Sequence, residues 1–588
     1  MTNVKIRALM GASALVLAAG ASAGAHAQTT TVYGGGSTLS APYVRQAEDC
    51  FGKQAPLYTP GAAATNPPPE VFTYAVGGVS TTTDCSTTQY DPNVVMNLEA
   101  SGSGAGVQAF FDHDPTALGA YTATDGTTGH TFPTMHYATS DTAMGSGDVS
   151  VYNNGGVTEP ATGKTVNVVA PGVTPATGQF ANPAATYGAM VQIPLLITPI
   201  TVAYSPVYKK VLNADGTVTS YKFNISATAN KGALRLDLPT YCKIFNGQIT
   251  NWNDPAIAVL NGKKVTVAKT ATKAAYSYYT PINDPADPDA GAIVNGTNNF
   301  SLPIELVGRS DGSGTTSIFS RALAAQCTGL TGVTNNYPDA ASTLPSGMIS
   351  SSQPATPGSG LYTTKKGSGG VATYVAFTAT PTGSAGSEVT SGKLTYLSPD
   401  YVGPVNTTYG LAYAALQNYA NAAAGAATKT YVLPTAKAAL ASFGTITAPT
   451  GAAVADPSAW VQAPSKSAAI ATPTATNGYP LVGTTQILAY TCYADQASKS
   501  DINVGYKVNR FVYFYLKNPI VTASTGILNT YGFAPLPAAF RTAEYNAFVL
   551  PSTATTYISP KSDVIQTSGT KVTVLFKHNS ACDSVQGG

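Results

Sequence analysis

Charge is scarce in this chain. Only 10% of its 588 residues are Asp, Glu, Lys or Arg, against about 25% in ordinary soluble domains. No basic stripe runs along it, which argues against nucleic acid as a partner. Any anion it binds must therefore be held by local geometry and not by a global positive field. Beyond the first residues no stretch is long and apolar enough to span a bilayer. The six cysteines contain no CxxC and the histidines do not cluster at ligand spacing, so a zinc site is not expected. No repeat of solenoid length occurs.

What is present begins with a leader. Lys5 and Arg7 precede a mostly apolar run from Ala8 to Leu17, and Ala25-His26-Ala27 offers a small-x-small cleavage site. Residues 1–27 read as a secretory signal peptide. No Cys follows the predicted cut, so a lipid anchor is not expected, and the mature protein is expected to be periplasmic or secreted. Removing the leader takes away two of the 31 basic residues and none of the 29 acidic ones, leaving a formal net charge of zero. Cys50, Cys85, Cys242, Cys327, Cys492 and Cys582 all remain, and an even number in an oxidising compartment suggests disulfides. Six cysteines allow 15 pairings. Joining neighbours in sequence gives Cys50–Cys85, Cys242–Cys327 and Cys492–Cys582.

Three junctions carry the chemistry. The apolar run Leu302–Val307 reads as a strand, Arg309-Ser310-Asp311-Gly312-Ser313-Gly314-Thr315-Thr316 as a hydroxyl-rich turn, and Ser317–Leu323 as a helix. A helix start exposes free backbone N–H groups at the positive end of the helix dipole, and Arg309 adds a planar charged fork suited to a tetrahedral oxyanion. No Lys precedes the hydroxyl residue, so this is not a P-loop. The same order recurs at Thr31–Pro42, where Pro42 suits the first turn of a helix over Tyr43–Phe51, and at Ser101–Gly106 leading into Val107–Phe111. Each junction alone also suits an ordinary strand–turn–helix connection; three in one chain point to convergent anion binding. Tyr137–Ser140 reads as a short strand ending at Asp141, which taken alone suits a helix cap.

Elsewhere, Met190 to Tyr204 reads as one buried strand or two, and Leu236–Phe245 as a capped helix. Residues 150–189, 262–300 and 328–360 carry turn and loop composition. Helices are expected at Leu411–Ala427, Thr435–Phe443 and Phe511–Leu516, and a strand at Tyr479–Leu488.

In order, these segments resemble the periplasmic phosphate-binding proteins of ABC transporters. Gly34–Pro42 and Ser101–Gly106 look like that family's two anion loops, and Tyr137–Asp141 like its strand ending in a phosphate-binding Asp. Cys242–Ile257, with Trp252, is similar to a typical family stretch, and Arg309–Thr315 matches its Arg-x-Asp-Gly-Ser-Gly-Thr loop. Lys366–Val371, Tyr479–Leu488 and Tyr531–Pro537 look like later landmarks. Leu39 stands where an aromatic is usual, which fits a position contributing its N–H. The chain is far longer than an ordinary receptor of this kind, with the extra length in loops and in a tail from about residue 546.

The resemblance implies an α/β, two-lobed periplasmic-binding-protein fold of type II, with crossing hinge strands and a ligand cleft between the lobes. Residues 28–200 and 485–588 would form one lobe and 201–484 the other. Thr38, Leu39, Ser103 and Asp141 would then face Arg309, Ser313, Gly314 and Thr315 across bound inorganic phosphate, or arsenate as its analogue. The implied protein is a monomeric receptor without cofactor or enzymatic activity, and its family partner is an ABC permease.

Two other functions stay open. A phosphoric-ester hydrolase on the same scaffold would need an activated nucleophile or a metal, yet Ser103 and Ser313 lack a G-x-S-x-G setting. His113, His130, His136 and His578 are the histidines beyond the leader. An extracellular structural or adhesive protein would use the Tyr- and Thr-rich insertions for contacts.

Overall fold

The computed structural model describes residues 29–53, 90–119, 132–154, 183–225, 233–270, 274–280, 282–288, 301–337, 361–444, 446–462, 466–493 and 504–549, with a few short strands outside these spans. The leader, Cys85, Cys582, His578 and most of the tail lie outside the described residues.

Two mixed sheets organise the described chain. The first has the order Met190–Pro199, Val482–Tyr490, Tyr137–Ser140, Thr30–Gly36, Val94–Glu99. Thr30–Gly36 runs parallel to both Val94–Glu99 and Tyr137–Ser140, and Val482–Tyr490 runs antiparallel to its two neighbours. The second has the order Leu234–Leu236, Ala412–Gln417, Thr201–Tyr204, Lys393–Leu397, Glu305–Arg309, Leu361–Lys365, with Tyr431–Val432 added beside Ala412–Gln417. The α/β reading of the sequence holds. The chain passes from the first sheet to the second at Ile200, between Pro199 and Thr201, so the apolar run from Met190 to Tyr204 is two strands, one in each sheet. Every residue of both strands is buried, which explains why the run shows no polar alternation.

Helices cover the sheets where the sequence carries a start signal and an apolar stripe. Ala41–Phe51 has Pro42 in its first turn, where a missing N–H removes only a donor that the helix leaves unbonded. Leu238–Phe245 is capped by Asp237, whose side chain accepts the Thr240 N–H at 2.9 Å. Cys242 in that helix is bonded to Cys327 at the end of the Gly314–Cys327 helix, as neighbour pairing anticipates. Cys50 and Cys492 are disulfide-bonded as well, and the expected partners Cys85 and Cys582 fall outside the described residues. The Val504–Lys517 helix buries Val508, Phe511, Val512 and Tyr515 against the first sheet's helices, with Phe511 edge-on to Phe51 at 5.5 Å.

One expected helix is corrected. Leu411–Ala427 holds a strand, Ala412–Gln417, followed by the short helix Tyr419–Ala423. Ala, Leu and Gln favour a helix by propensity, a weak prior. Here the segment is laid between Thr201–Tyr204 and Leu234–Leu236, and its last four residues are buried. Tertiary pairing decides the outcome. Residues 264–267 and 276–279, within a stretch read as loop, form an antiparallel hairpin.

Candidate functional site

Four helix N-termini meet where the two sheets face each other. Each follows a strand, with glycine in the turn or at the strand end or helix start: Ala41–Phe51 after Thr30–Gly36, Ser103–Asp112 after Val94–Glu99, Gly314–Cys327 after Glu305–Arg309, and Gly367–Val375 after Leu361–Lys365. Glycine is required at the contacts. A Cβ on Gly106 would lie 2.5 Å from Gly36 Cα. Gly102 sits at φ 113°, a conformation that strains any side-chain-bearing residue, and a Cβ there would also lie 2.5 Å from Asp311 Oδ2 and displace it. Across the sheets, the Gly104 N–H donates to Gly312 O at 3.0 Å.

At the centre, Asp141 lies just past its strand, only 3% exposed. It does not cap a helix. Ser37 Oγ donates to its carboxylate at 2.7 Å, Thr485 Oγ1 at 2.8 Å and Ser103 Oγ at 3.1 Å. Its own N–H donates to Ser103 Oγ at 3.1 Å. Burial pushes the Asp141 carboxyl above its ordinary range, while the hydroxyls of Ser37, Thr485 and Ser103 and the charge of Arg309 act in the opposite direction. Three hydroxyl donors on two oxygens are the arrangement an ionised, acceptor-only carboxylate takes.

Arg309 ends its strand with its guanidinium almost wholly buried. Nε donates to Asp311 Oδ1 at 2.7 Å, Nη2 to Asp311 Oδ2, and Nη1 to Ser368 Oγ at 3.1 Å. Asp311 also accepts the Gly367 N–H at 3.0 Å. The edge expected to grip an anion is thus held by Asp311, which fixes the plane of the guanidinium.

The other residues expected at the site lie in or beside the same network. Thr38 Oγ1 lies 3.2 Å from Ser368 Oγ and accepts the Ser368 N–H at 3.2 Å. The Leu39 N–H is engaged by Ser37 Oγ at 3.1 Å, and the Leu39 side chain is buried in the core. Ser313 caps its helix, its Oγ accepting the Thr316 N–H at 3.2 Å, which leaves the hydroxyl proton free to donate elsewhere. Gly314 packs directly on the Asp141 loop: a Cβ there would meet Thr142 N at 2.5 Å and both Asp141 Cβ and Ser103 Oγ at 2.6 Å. Thr315 Oγ1 is buried and has no hydrogen-bond partner. The first-turn N–H groups of Gly314 and Thr315 have no acceptor within their helix. Thr38, Leu39, Ser103, Asp141 and Arg309 are thus linked through hydrogen bonds, Gly314 packs against them, and Ser313 and Thr315 flank Gly314 at the same helix start.

Sequence reasoning missed Ser37, Asp311, Ser368 and Thr485 as functional groups. Ser37 and Asp311 sit inside motifs already singled out, one residue before Thr38 and two after Arg309. Ser368 and Thr485 lie inside Lys366–Val371 and Tyr479–Leu488, segments also singled out, but nothing local ties Thr485 to Asp141, 344 residues away.

Electrostatically, the side chains Arg309, Asp311 and Asp141 sum to one negative charge, which by itself would repel an anion. The four helix ends oppose it, each carrying about half a positive charge. Glu99, before the second junction, is held up to about 8 by burial, so it is largely uncharged at neutral pH. Burial also raises Asp400, next to Tyr401, which donates to Thr38 O at 3.0 Å. Beside the side chains of Arg309 and Lys366, which act on Asp141 and Glu99, the positive field of the site comes from backbone. Among the described residues no group of three or more His, Cys, Asp and Glu is arranged to hold a metal, and no helix is long and apolar enough to cross a membrane.

The chain is similar in sequence and fold to known proteins. An alkaline phosphatase L of Pseudomonas aeruginosa is 24% identical over 457 residues, 77% of this chain and 81% of that protein. Phosphate-binding protein PstS3 of Mycobacterium bovis is 34% identical over 113 residues, about a fifth of each chain. The fold is similar to the crystal structure of an ancestral soluble variant of the human phosphate binding protein, with a TM-score of 0.52, 19% identity, and coverage of 89% of this chain and 95% of that one. The family described as the PBP superfamily domain matches residues 21–519, and the chain belongs to it.

Proposed function

We propose that this protein is an exported receptor that captures inorganic phosphate, with arsenate as its analogue, between two lobes built on the two sheets. In this proposal residues 28–200 and 485–588 make one lobe and 201–484 the other, so Ile200, between the strands ending at Pro199 and starting at Thr201, lies at a crossing from one lobe to the other. The observation that carries the reading is the convergence of four helix N-termini on Arg309 and Asp141. In this reading the Gly314 and Thr315 N–H groups, the Thr38, Ser103, Ser313 and Thr315 hydroxyls and the Arg309 guanidinium donate to the phosphate oxygens. The Leu39 N–H exchanges its bond with Ser37 Oγ, and the Ser103 hydroxyl its bond to Asp141, for one with the ligand. Asp141 accepts the proton that phosphate carries near neutral pH.

Because Gly314 rests on Asp141 and Ser103, ligand access requires the Gly312–Thr315 turn to separate from them. A ligand that touches both sides then stabilises closure by its differential affinity for the closed state. Relatives named for phosphate binding support the ligand. A permease partner and a monomeric state are part of the same proposal.

A crystal structure grown with phosphate tests it. The expected result is a tetrahedral anion within hydrogen-bond distance of Arg309, Thr315 and Asp141; an anion bound elsewhere, or none at saturating phosphate, overturns the assignment. Hydrolysis of phosphate esters is the second reading, favoured by the likeness to alkaline phosphatase L. Ser103 Oγ, 3.1 Å from the Asp141 carboxylate, is the nucleophile it would use. Turnover of a chromogenic ester that co-purifies with the protein and disappears in Ser103→Ala would establish that reading.

A further inference from the structure

A second, separate cavity lies at the far edge of the second sheet, beneath the hairpin Lys264–Val267 and Tyr276–Tyr279. Its volume is about 670 Å³, in the range of small-molecule sites. It opens beside Leu234–Leu236, an edge strand four strands across the sheet from Glu305–Arg309. At one interstrand spacing per step that is about 19 Å from the strand that carries Arg309.

The cavity is built by a forced approach. A Cβ on Gly262, which ends the Pro255–Asn261 helix, would lie 1.9 Å from Thr280 O, so only glycine lets the helix end close against the hairpin. That closure brings Lys263 and Lys264 to the rim. Lys264 pairs with Tyr279 across the hairpin. Arg235, on the edge strand, holds its guanidinium 5.7 Å from the Tyr431 ring centre. Its Nε is shielded from solvent and has no hydrogen-bond partner.

Two properties set this cavity apart. The first is charge. Three cations line one small cavity of a chain that is only 10% charged, and none of the three pairs with a carboxylate among the described residues. The nearby acid, Asp237, is bound to Lys429 and caps a helix. The second is exposed apolar surface. Of the four large hydrophobic residues exposed among the described residues, Val259 and Tyr279 line this cavity and Tyr276 lies on the same hairpin. Unpaired cations beside exposed aromatic surface are complementary to one kind of ligand.

We infer that this cavity binds a small aromatic anion, a single ring system bearing a carboxylate or phosphate. Arg235, Lys263 and Lys264 hold the acidic group, and the ring lies against Tyr279 and Tyr431. A bare inorganic anion fits poorly, because the apolar wall would strip its water and return no hydrogen bond. A neutral aromatic would leave the cations without a partner. The site is independent of the phosphate reading and has its own specificity.

The test is calorimetric titration of the full chain with indole-3-acetate, phenyl phosphate, the neutral indole-3-acetamide and inorganic phosphate. The two aromatic anions are expected to bind with dissociation constants of about 1 mM or tighter, and the amide not to bind. Saturating inorganic phosphate should leave the aromatic binding unchanged. Arg235→Gln should weaken it by about tenfold or more, as loss of a charged hydrogen bond predicts. The exposed pair Lys263→Gln with Lys264→Gln, which cannot disturb the core, should weaken it in the same direction. Arg309→Ala should leave it intact. The inference is overturned by no binding of either aromatic anion, by equal binding of the amide, by competition from inorganic phosphate, or by unchanged affinity in the double lysine variant.

Discussion

Replacing Gly314 by Ala probes how tightly the Gly314–Cys327 helix seats on the Asp141 loop. A Cβ there meets Thr142 N at 2.5 Å and Asp141 Cβ and Ser103 Oγ at 2.6 Å, whereas ordinary Cβ contacts begin at 3.4 Å. Two of the three atoms are a backbone nitrogen and a Cβ, which cannot swing aside. The helix end must therefore retreat by about 0.8 Å. That takes the Gly314 and Thr315 N–H groups from a normal donor distance of about 2.9 Å to about 3.7 Å from a ligand held by Asp141, beyond hydrogen-bond range. Each hydrogen bond to a charged group contributes about 1.5–3 kcal/mol, so phosphate affinity should fall at least tenfold to a hundredfold. Folding stability should change less. Overpacking costs about 1–3 kcal/mol, partly offset by the better helix propensity of Ala, about 1 kcal/mol. Calorimetric titration beside a thermal melt separates the two quantities. An Ala variant that binds phosphate within about twofold of the parent would refute the reasoning, since the donors would then not depend on this contact.

Asp141→Asn should narrow the preference for phosphate over sulfate, because an amide can donate to an anion with no proton of its own; an unchanged ratio in paired titrations removes Asp141 from the site. Arg309→Ala should cost about 2–5 kcal/mol of phosphate affinity, partly because it frees the Asp311 carboxylate, and Arg309→Lys should restore only part of it for want of a fork. Glu48 accepts a hydrogen bond from Tyr137, and burial raises its pKa from the ordinary 4.5 to about 8. Between those values the folded state holds a proton that the unfolded state has lost, so this group's contribution to stability is full below about 4.5 and falls as pH rises to 8. Glu48→Gln should flatten that decline in denaturant unfolding at pH 5, 6.5 and 8, and an unchanged slope contradicts it. Replacing Cys242 and Cys327 by Ala should lower stability by up to about 4 kcal/mol, as expected for a cross-link spanning 85 residues; unfolding in denaturant measures the loss, and no change contradicts it.

The parts of the site that were legible in sequence are those written in local chemistry. Gly36, Gly102 and Gly314 stand where helix starts must approach another backbone, and Ser313 caps its own helix three residues on. These demands act within a few residues, so residue type reveals them. Of the partners of Asp141, Ser103 is placed with it by the resemblance, whereas Ser37 and Thr485 are not, because they reach it from other strands and loops that residue type does not join. Arg309 was seen as a donor, yet its hold by Asp311 depends on a turn whose geometry residue type does not specify. Ala412–Gln417 shows the same limit in the fold: a helix-prone composition becomes a strand because its neighbours in the sheet are supplied by residues about 180 and 210 positions earlier.

The claim that this is a selective phosphate receptor is tested most directly by titrating the purified chain, freed of bound anion, with phosphate and with sulfate at equal ionic strength near neutral pH. The account predicts saturable one-to-one binding of phosphate and none of sulfate at the same concentrations, because Asp141 meets a proton on one and only repulsion from the other. Equal binding of both anions, or no binding of phosphate, would contradict it.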